Sequence, residues 1–391
     1  MKTLIKNARL VLQDHIEAGC VLLEDGKIRA LTQGAADEVI DAHGLYLAPG
    51  FIDIHTHGAG GADFMDGTVE AYITAAQMHA RHGTTLLFPT TLTSTNEALY
   101  ASFATYEKAR ALSGRDGAQL GGMHLEGPFF APEQAGAQDP RYLRDPRPEE
   151  YLEILSHTSH IARWSFAPER SGSPAFAAEL RRRGIVPSIG HTNATFADCE
   201  AAFQAGCTLM THFYSCMSTI TRRNAYRYAG VIEYGYWQDG MDIEIIADGI
   251  HVPSDLLKLV VKIKGVDHIA LVTDSMRAAG MPEGPSILGS LQDGQEVVVE
   301  DGVAKLMDRS AFAGSVATTD RLVRTMLREG GVSLPEAIRM MTANPARIMG
   351  IDAHKGHLRA GYDADLVLFD ENIQIQKTLI NGKTIFDHES I

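Results

Sequence analysis

From about Gly50 to Thr273 the chain repeats one pattern: a short, mainly apolar run, then a stretch whose apolar positions recur with helical spacing. Eight runs stand out: Gly50–Ile54, Thr85–Phe88, Gln119–Leu125, Ile161–Phe166, Ile185–Ile189, Thr208–Phe213, Ile243–Ala247 and Ile269–Thr273. A strand buried on both faces reads this way, whereas a strand with one wet face alternates. The intervening stretches include Thr195–Ala205 and Ser254–Ile263, each with a Ser, Thr or Asn placed to cap a helix. Eight strands with helices between them close most naturally into an α/β fold, the (β/α)8 TIM barrel.

Both ends break the pattern. Thr3–Leu12, Cys20–Glu24 and Lys27–Leu31 read as strands around a turn at Asp25-Gly26. Ala364–Asp370, Ile373–Leu379 and Lys383–Phe386 read the same way around Asn381-Gly382. The expectation is one small β-sandwich domain built from residues 1–48 and 350–391, with the barrel occupying 49–349.

Composition sharpens this picture mainly through charge. Of the 391 residues 45% are apolar, enough for a barrel core, and the formal net charge is −14. That charge repels polyanions, so neither nucleic acid nor an anionic membrane is expected as a partner, and an anionic small substrate would need a local basic pocket. No apolar run reaches the roughly 18 residues that span a bilayer. Lys6, Arg9 and Asp14 interrupt the segment where a signal peptide would keep its apolar core, so a cytoplasmic location is expected. The four cysteines, Cys20, Cys199, Cys207 and Cys216, form no C-x-x-C pair and read as reduced thiols.

The candidate chemistry lies where the runs end. His55 and His57 follow the first run, and in extended backbone residues two apart project to the same side. Glu126 ends the third run, His191 the fifth, His212 the sixth and Asp274 the eighth. These are the carboxyl ends of barrel strands, where barrel active sites are built. Four imidazoles and two carboxylates crowded into a desolvated cleft would be costly without a cation. Imidazole with carboxylate suits a divalent Zn, Fe, Mn or Co ion. An ion at an open site acidifies water and polarises a carbonyl. Asp274 is then placed to take a proton from the water and hand it to a leaving amine. His124, one residue before the strand end, reads as a packed histidine rather than a ligand.

Pro49-Gly50-Phe51-Ile52-Asp53-Ile54-His55-Thr56-His57-Gly58 resembles the first-strand motif of the amidohydrolase superfamily, and Gly361-Tyr362-Asp363-Ala364-Asp365-Leu366-Val367 its closing motif. Within it, His124-Leu125-Glu126-Gly127-Pro128-Phe129, Ala135-Gly136-Ala137-Gln138, Gly190-His191-Thr192-Asn193-Ala194-Thr195, Ala247-Asp248-Gly249-Ile250-His251, Thr273-Asp274-Ser275-Met276 and Ala313-Gly314-Ser315 resemble, in order, the motifs of the N-acetylglucosamine-6-phosphate deacetylase family. The fourth run carries no lysine of the kind that bridges two metals in dihydroorotase-like relatives.

The resemblance implies that Glu126, His191 and His212 hold a principal metal. It implies that His55 and His57 belong to the branch that binds a second ion, so one or two metals per subunit stay open. Asp274 corresponds to the catalytic acid/base. Ala137, Gln138, His251, Phe312, Ala313, Gly314 and Ser315 correspond to substrate-contacting positions. The implied substrate is a phosphorylated amino sugar, and the implied assembly a homodimer in which Arg223 reaches the phosphate of the neighbouring subunit.

The family usually reads Asn-Ala-Met where this chain has Ser215-Cys216-Met217, and Ala225–Tyr228 are additional. Those departures keep N-acetylgalactosamine 6-phosphate open as the substrate, with a deaminase or cyclic amidase as a more distant alternative.

Overall fold

The computed structural model describes residues 1–390. At its centre eight parallel strands follow one another in chain order: Phe51–Thr56, Thr84–Thr91, Met123–Glu126, Ile161–Phe166, Val186–Ile189, Leu209–Met210, Asp242–Ile245 and Ile269–Leu271. Each coincides with one of the eight apolar runs. The ring closes where the Asp274 N–H donates to the His55 carbonyl at 2.8 Å and Thr56 bridges to Ser275.

The third run is split. Gln119–Leu120 pairs with the second strand, and Gly121-Gly122 then interrupts before Met123. A Cβ on Gly122 would lie 2.3 Å from that of Ala162, and one on Gly121 would lie 2.8 Å from the Phe88 ring, so only glycine permits this approach.

Helices cover the barrel. Phe196–Gln204 starts at a reciprocal cap in which Thr195 and Asp198 satisfy each other's backbone N–H groups. Ser254–Lys264 starts at Ser254 itself, with Pro253 preceding it and supplying no side-chain cap.

The two chain ends meet in a single eight-stranded mixed sheet. Lys2–Val11 is its hub, pairing with Ile16–Glu24 on one edge and with Glu38–Asp41 and then Tyr46–Pro49 on the other. Leu366–Phe369 joins the C-terminal strands by pairing antiparallel to Tyr46–Pro49. Ile5, Leu10, Val21, Leu47, Leu366 and Leu379 share its buried cluster. Glu38–Asp41 and Tyr46–Pro49 were not expected; each is too short to show a period.

After the eighth barrel strand comes a further three-stranded antiparallel sheet, Gly284–Leu288, Gln295–Glu300 and Val303–Leu306. It packs over the barrel mouth through Met276, Leu288, Val297 and Ala313. All four cysteines are free thiols. No helix among the described residues is long and apolar enough to cross a membrane.

Candidate active site

The strand ends bring His55, His57, Glu126, His191, His212 and Asp274 to one place, although they span more than half of the sequence. Glu126 is the hub. Its Oε1 lies 3.0 Å from His212 Nε2 and 3.3 Å from His191 Nε2, and its Oε2 lies 3.2 Å from His57 Nε2. Two donor triplets therefore share one carboxylate: His55, His57 and Glu126 on one side, Glu126, His191 and His212 on the other, with donor atoms within 4.8 Å. Asp274 Oδ1 stands 3.2 Å from His57 Nε2 and 3.4 Å from His55 Nε2.

This donor set fits a divalent cation. The His191 and His212 Nε2 atoms face each other at 3.1 Å, and His55 Nε2 is buried at the centre without a hydrogen-bond partner. A shared ion satisfies facing nitrogens that a hydrogen-bond network leaves in conflict. Tautomers suit it too. His191 donates Nδ1–H to the Gln134 carbonyl at 2.8 Å, and His55 donates Nδ1–H to Glu244 at 3.4 Å, so each keeps its Nε2 lone pair for the centre.

Charge follows from the same geometry. Burial pulls the His55 and His57 imidazoles down, but Asp274 and Glu126 outweigh it and hold them up to about 9 and about 10. Burial likewise pushes the carboxylates up, and the neighbouring imidazoles overcome it: Glu126 stays well below the usual carboxylate range and Asp274 below it. Asp274 is thus ionised and able to accept a proton.

His191, His212 and Asp274 all have left-handed backbone, with φ of 47°, 30° and 45°. Such conformations are uncommon for residues other than glycine and turn each side chain away from the strand direction, into the mouth. Asp274 is held there from both sides, since its carbonyl accepts from the Ser315 N–H at 2.8 Å while its own N–H is bound to His55.

Beneath the cluster lies a fully buried polar layer. The Arg163 guanidinium pairs with Glu244 and donates to Thr211 at 2.9 Å and Ser188 at 3.2 Å. Glu244 Oε2 accepts from the His212 backbone at 3.2 Å as well as from His55. His124 bonds Ser165 and Thr90 in this layer and points to neither triplet. Glu244 was missed in the sequence because it sits inside the seventh run. The alternation Asp242-Ile243-Glu244-Ile245 carried the signal, a charge repeated on one face of a buried strand.

Above the cluster is a cavity of about 210 Å³ lined by His57, Glu126, Gln138, His191, His212 and Asp274 below, with Ala137, Ser215, Cys216, His251, Phe312 and Gly314 around it. Gln138 is fixed at both ends: Oε1 accepts from the Thr93 N–H at 2.8 Å and Nε2 donates to Glu126 Oε2 at 2.8 Å. His251 is anchored through Nδ1 by Asp248 at 2.8 Å, and its ring lies 4.7 Å from that of Phe312.

Three of the expected substrate positions do not line this cavity. Ala313 packs into the apolar cluster under the mouth, and Ser315 is buried, supporting Asp274. Arg223 lies on an exposed hairpin, Thr221–Arg223 with Tyr226–Tyr228, whose two-residue turn at Asn224-Ala225 has φ of 48° and 71°. Leu92, Leu288 and Ala311, which do line the cavity, carried no chemical mark in the sequence.

Residues 46–385 match the model of the amidohydrolase family. N-acetylglucosamine-6-phosphate deacetylase of Lysinibacillus sphaericus is 34% identical over 93% of this chain and 92% of its own length. N-acetylgalactosamine-6-phosphate deacetylase of Escherichia coli O157:H7 is 32% identical over 92% of this chain and 93% of its own. The crystal structure of N-acetylglucosamine-6-phosphate deacetylase from Pasteurella multocida superposes with a TM-score of 0.91 at 27% identity, covering 98% of this chain and 99% of that one. Fold, converging strand ends and full-length similarity agree: the chain belongs to the amidohydrolase family, whose members depend on metal ions.

Proposed function

We propose that this protein hydrolyses the acetamide of N-acetylglucosamine 6-phosphate, releasing acetate and glucosamine 6-phosphate. The observation that carries the reading is the placement of an ionised Asp274 beside two metal-type triplets, at the floor of a cavity of about 210 Å³ that His251, Phe312, Ser215 and Cys216 border. The names of relatives aligned over nearly the whole chain support the substrate.

Glu126, His191 and His212 would hold one ion, and His55 and His57 with Glu126 a second. When bound, the ion acidifies water and withdraws charge from the amide oxygen, and Zn, Fe, Mn and Co all suit these ligands. Asp274 takes the proton from the attacking water and delivers it to the nitrogen as the C–N bond breaks. Gln138 keeps Glu126 oriented, and Glu244 keeps His55 in the required tautomer. His251 and Phe312 hold the sugar ring, with Ser215 and Cys216 on the opposite wall.

Acetate release should be measured with N-acetylglucosamine 6-phosphate, its galactosamine epimer and both unphosphorylated sugars. Absence of acetate from all four would overturn the proposal. Ser215-Cys216 and the E. coli O157:H7 relative favour a second reading, the galactosamine epimer, and the ratio of kcat/KM for the two phosphates decides between them.

We further propose a cytoplasmic homodimer, with no nucleic acid or membrane partner, in which the hairpin of one subunit brings Arg223 to the other's phosphate. The exposure of Tyr226 (73%) and Ile220 (58%) beside it supports this reading. Arg223→Ala should raise KM for the phosphorylated sugar about 10–100-fold, the value of a hydrogen bond to a charged group, and leave the unphosphorylated sugar unaffected. Equal effects on both sugars would assign Arg223 to the fold instead.

Glu244→Gln leaves Arg163 buried without its counter-charge. It should destabilise the fold by about 3–5 kcal/mol and weaken metal retention about 10–100-fold. Denaturant unfolding and chelator competition measure these separately.

A further inference from the structure

A second cavity, of about 230 Å³, lies beside the first, over Thr93, Thr95, Ala98 and Ser102. Among the described residues, Leu92, Ala137 and Leu288 alone border both. They come from three different elements: the end of the second barrel strand, the loop after the third, and the first strand of the sheet over the mouth. They belong to one apolar cluster, in which Leu288 is 3% exposed.

This partition is held in register with the reacting centre. The hydrogen bonds that fix Gln138 run from Thr93 N–H to its Oε1 and from its Nε2 to Glu126. Thr93 and Gln138 are the immediate chain neighbours of Leu92 and Ala137. Gln295 donates to the Ala137 carbonyl at 3.1 Å and ties the covering sheet to the same wall.

An amide is planar, so its carbonyl carbon directs oxygen, nitrogen and acyl chain three different ways in one plane. With the oxygen toward the Glu126 cluster and the nitrogen toward Asp274 and the sugar at His251 and Phe312, the third direction meets the remaining apolar lining. Within that lining, Leu92, Ala137 and Leu288 make up the partition. We propose that Leu92, Ala137 and Leu288 form the acyl wall of the site, restrict the substrate to the acetyl group, and close off a preformed space for longer acyl chains.

The inference rests on the acetamido-sugar reading, and one experiment separates the two. Initial rates are measured with the N-acetyl, N-propionyl and N-butyryl forms of glucosamine 6-phosphate. The wild type should turn over the butyryl form at least about tenfold less efficiently than the acetyl form, as expected for excess methylenes in a closed apolar pocket. Leu92→Ala and Leu288→Ala should each raise the butyryl-to-acetyl ratio of kcat/KM by about tenfold or more, and the milder Leu92→Val by an intermediate factor. A wild type indifferent to acyl length overturns the partition, and needs no variant to fold. So does an unchanged ratio in folded variants. A wild type inactive on the acetyl form as well overturns the substrate reading itself.

Discussion

Replacing Glu126 by glutamine should empty both halves of the metal site and lower kcat by about a thousandfold or more. The ion is asked to supply several kcal/mol of transition-state stabilisation, and each factor of ten corresponds to about 1.4 kcal/mol. Glu126 is the one residue common to both triplets, so no other single change removes a ligand from each. The glutamine amide would also face the Gln138 Nε2, which now donates to Glu126, and one of the two donors would have to turn away. Metal analysis after dialysis, alongside turnover, checks the result; full metal retention would contradict the shared-carboxylate arrangement.

Wild-type loading should depend on pH in a definite sense. The neighbouring carboxylates raise His55 to about 9 and His57 to about 10, so without an ion both rings carry protons at neutral pH. Ligation requires neutral imidazole, and metal uptake therefore releases protons and tightens as pH rises toward those values. The E126Q variant, lacking one of the charges that hold the protons, should release fewer on titration with metal.

Asp274→Asn should give the second large effect, a loss of about 10²–10⁴ in kcat with the ion still bound, since Asp274 belongs to neither triplet. Asparagine fits the same space and keeps the backbone hydrogen bonds to His55 and Ser315. It cannot accept the proton. Before an ion binds, the charged His55 and His57 rings hold the aspartate below the usual carboxylate range despite its burial, and in the loaded site the cation's charge would take their place. Unchanged turnover in the metal-loaded variant would remove Asp274 from the mechanism.

The barrel was legible because its strands are buried on both faces, which leaves mainly apolar runs with polar residues at their ends. His55, Glu126, His191, His212 and Asp274 stood out for that reason: each breaks a run where a packed core residue would continue it. Glu244 breaks no run and was hidden among the isoleucines that flank it. Leu92 and Leu288 were hidden in the opposite way, since an apolar residue near a strand end looks like core until the space on both sides is known. The covering sheet was not expected: its turn at Asp301-Gly302 has left-handed φ of 55° and 73°, but its position over the mouth depends on contacts between elements distant in sequence. Arg223 could be read as a charge, whereas the hairpin that lifts it away from its own cavity could not.

The pairing of Tyr46–Pro49 with Leu366–Phe369 also has a consequence for synthesis of the protein. The earlier strand leads through Gly50 directly into the barrel, yet its partner is made about 300 residues later, which at ribosomal speed is roughly 15–60 s. Throughout that interval the nascent chain exposes an apolar strand edge able to pair with neighbours on the same polysome. Yield in cells should therefore respond to chaperone supply and translation rate.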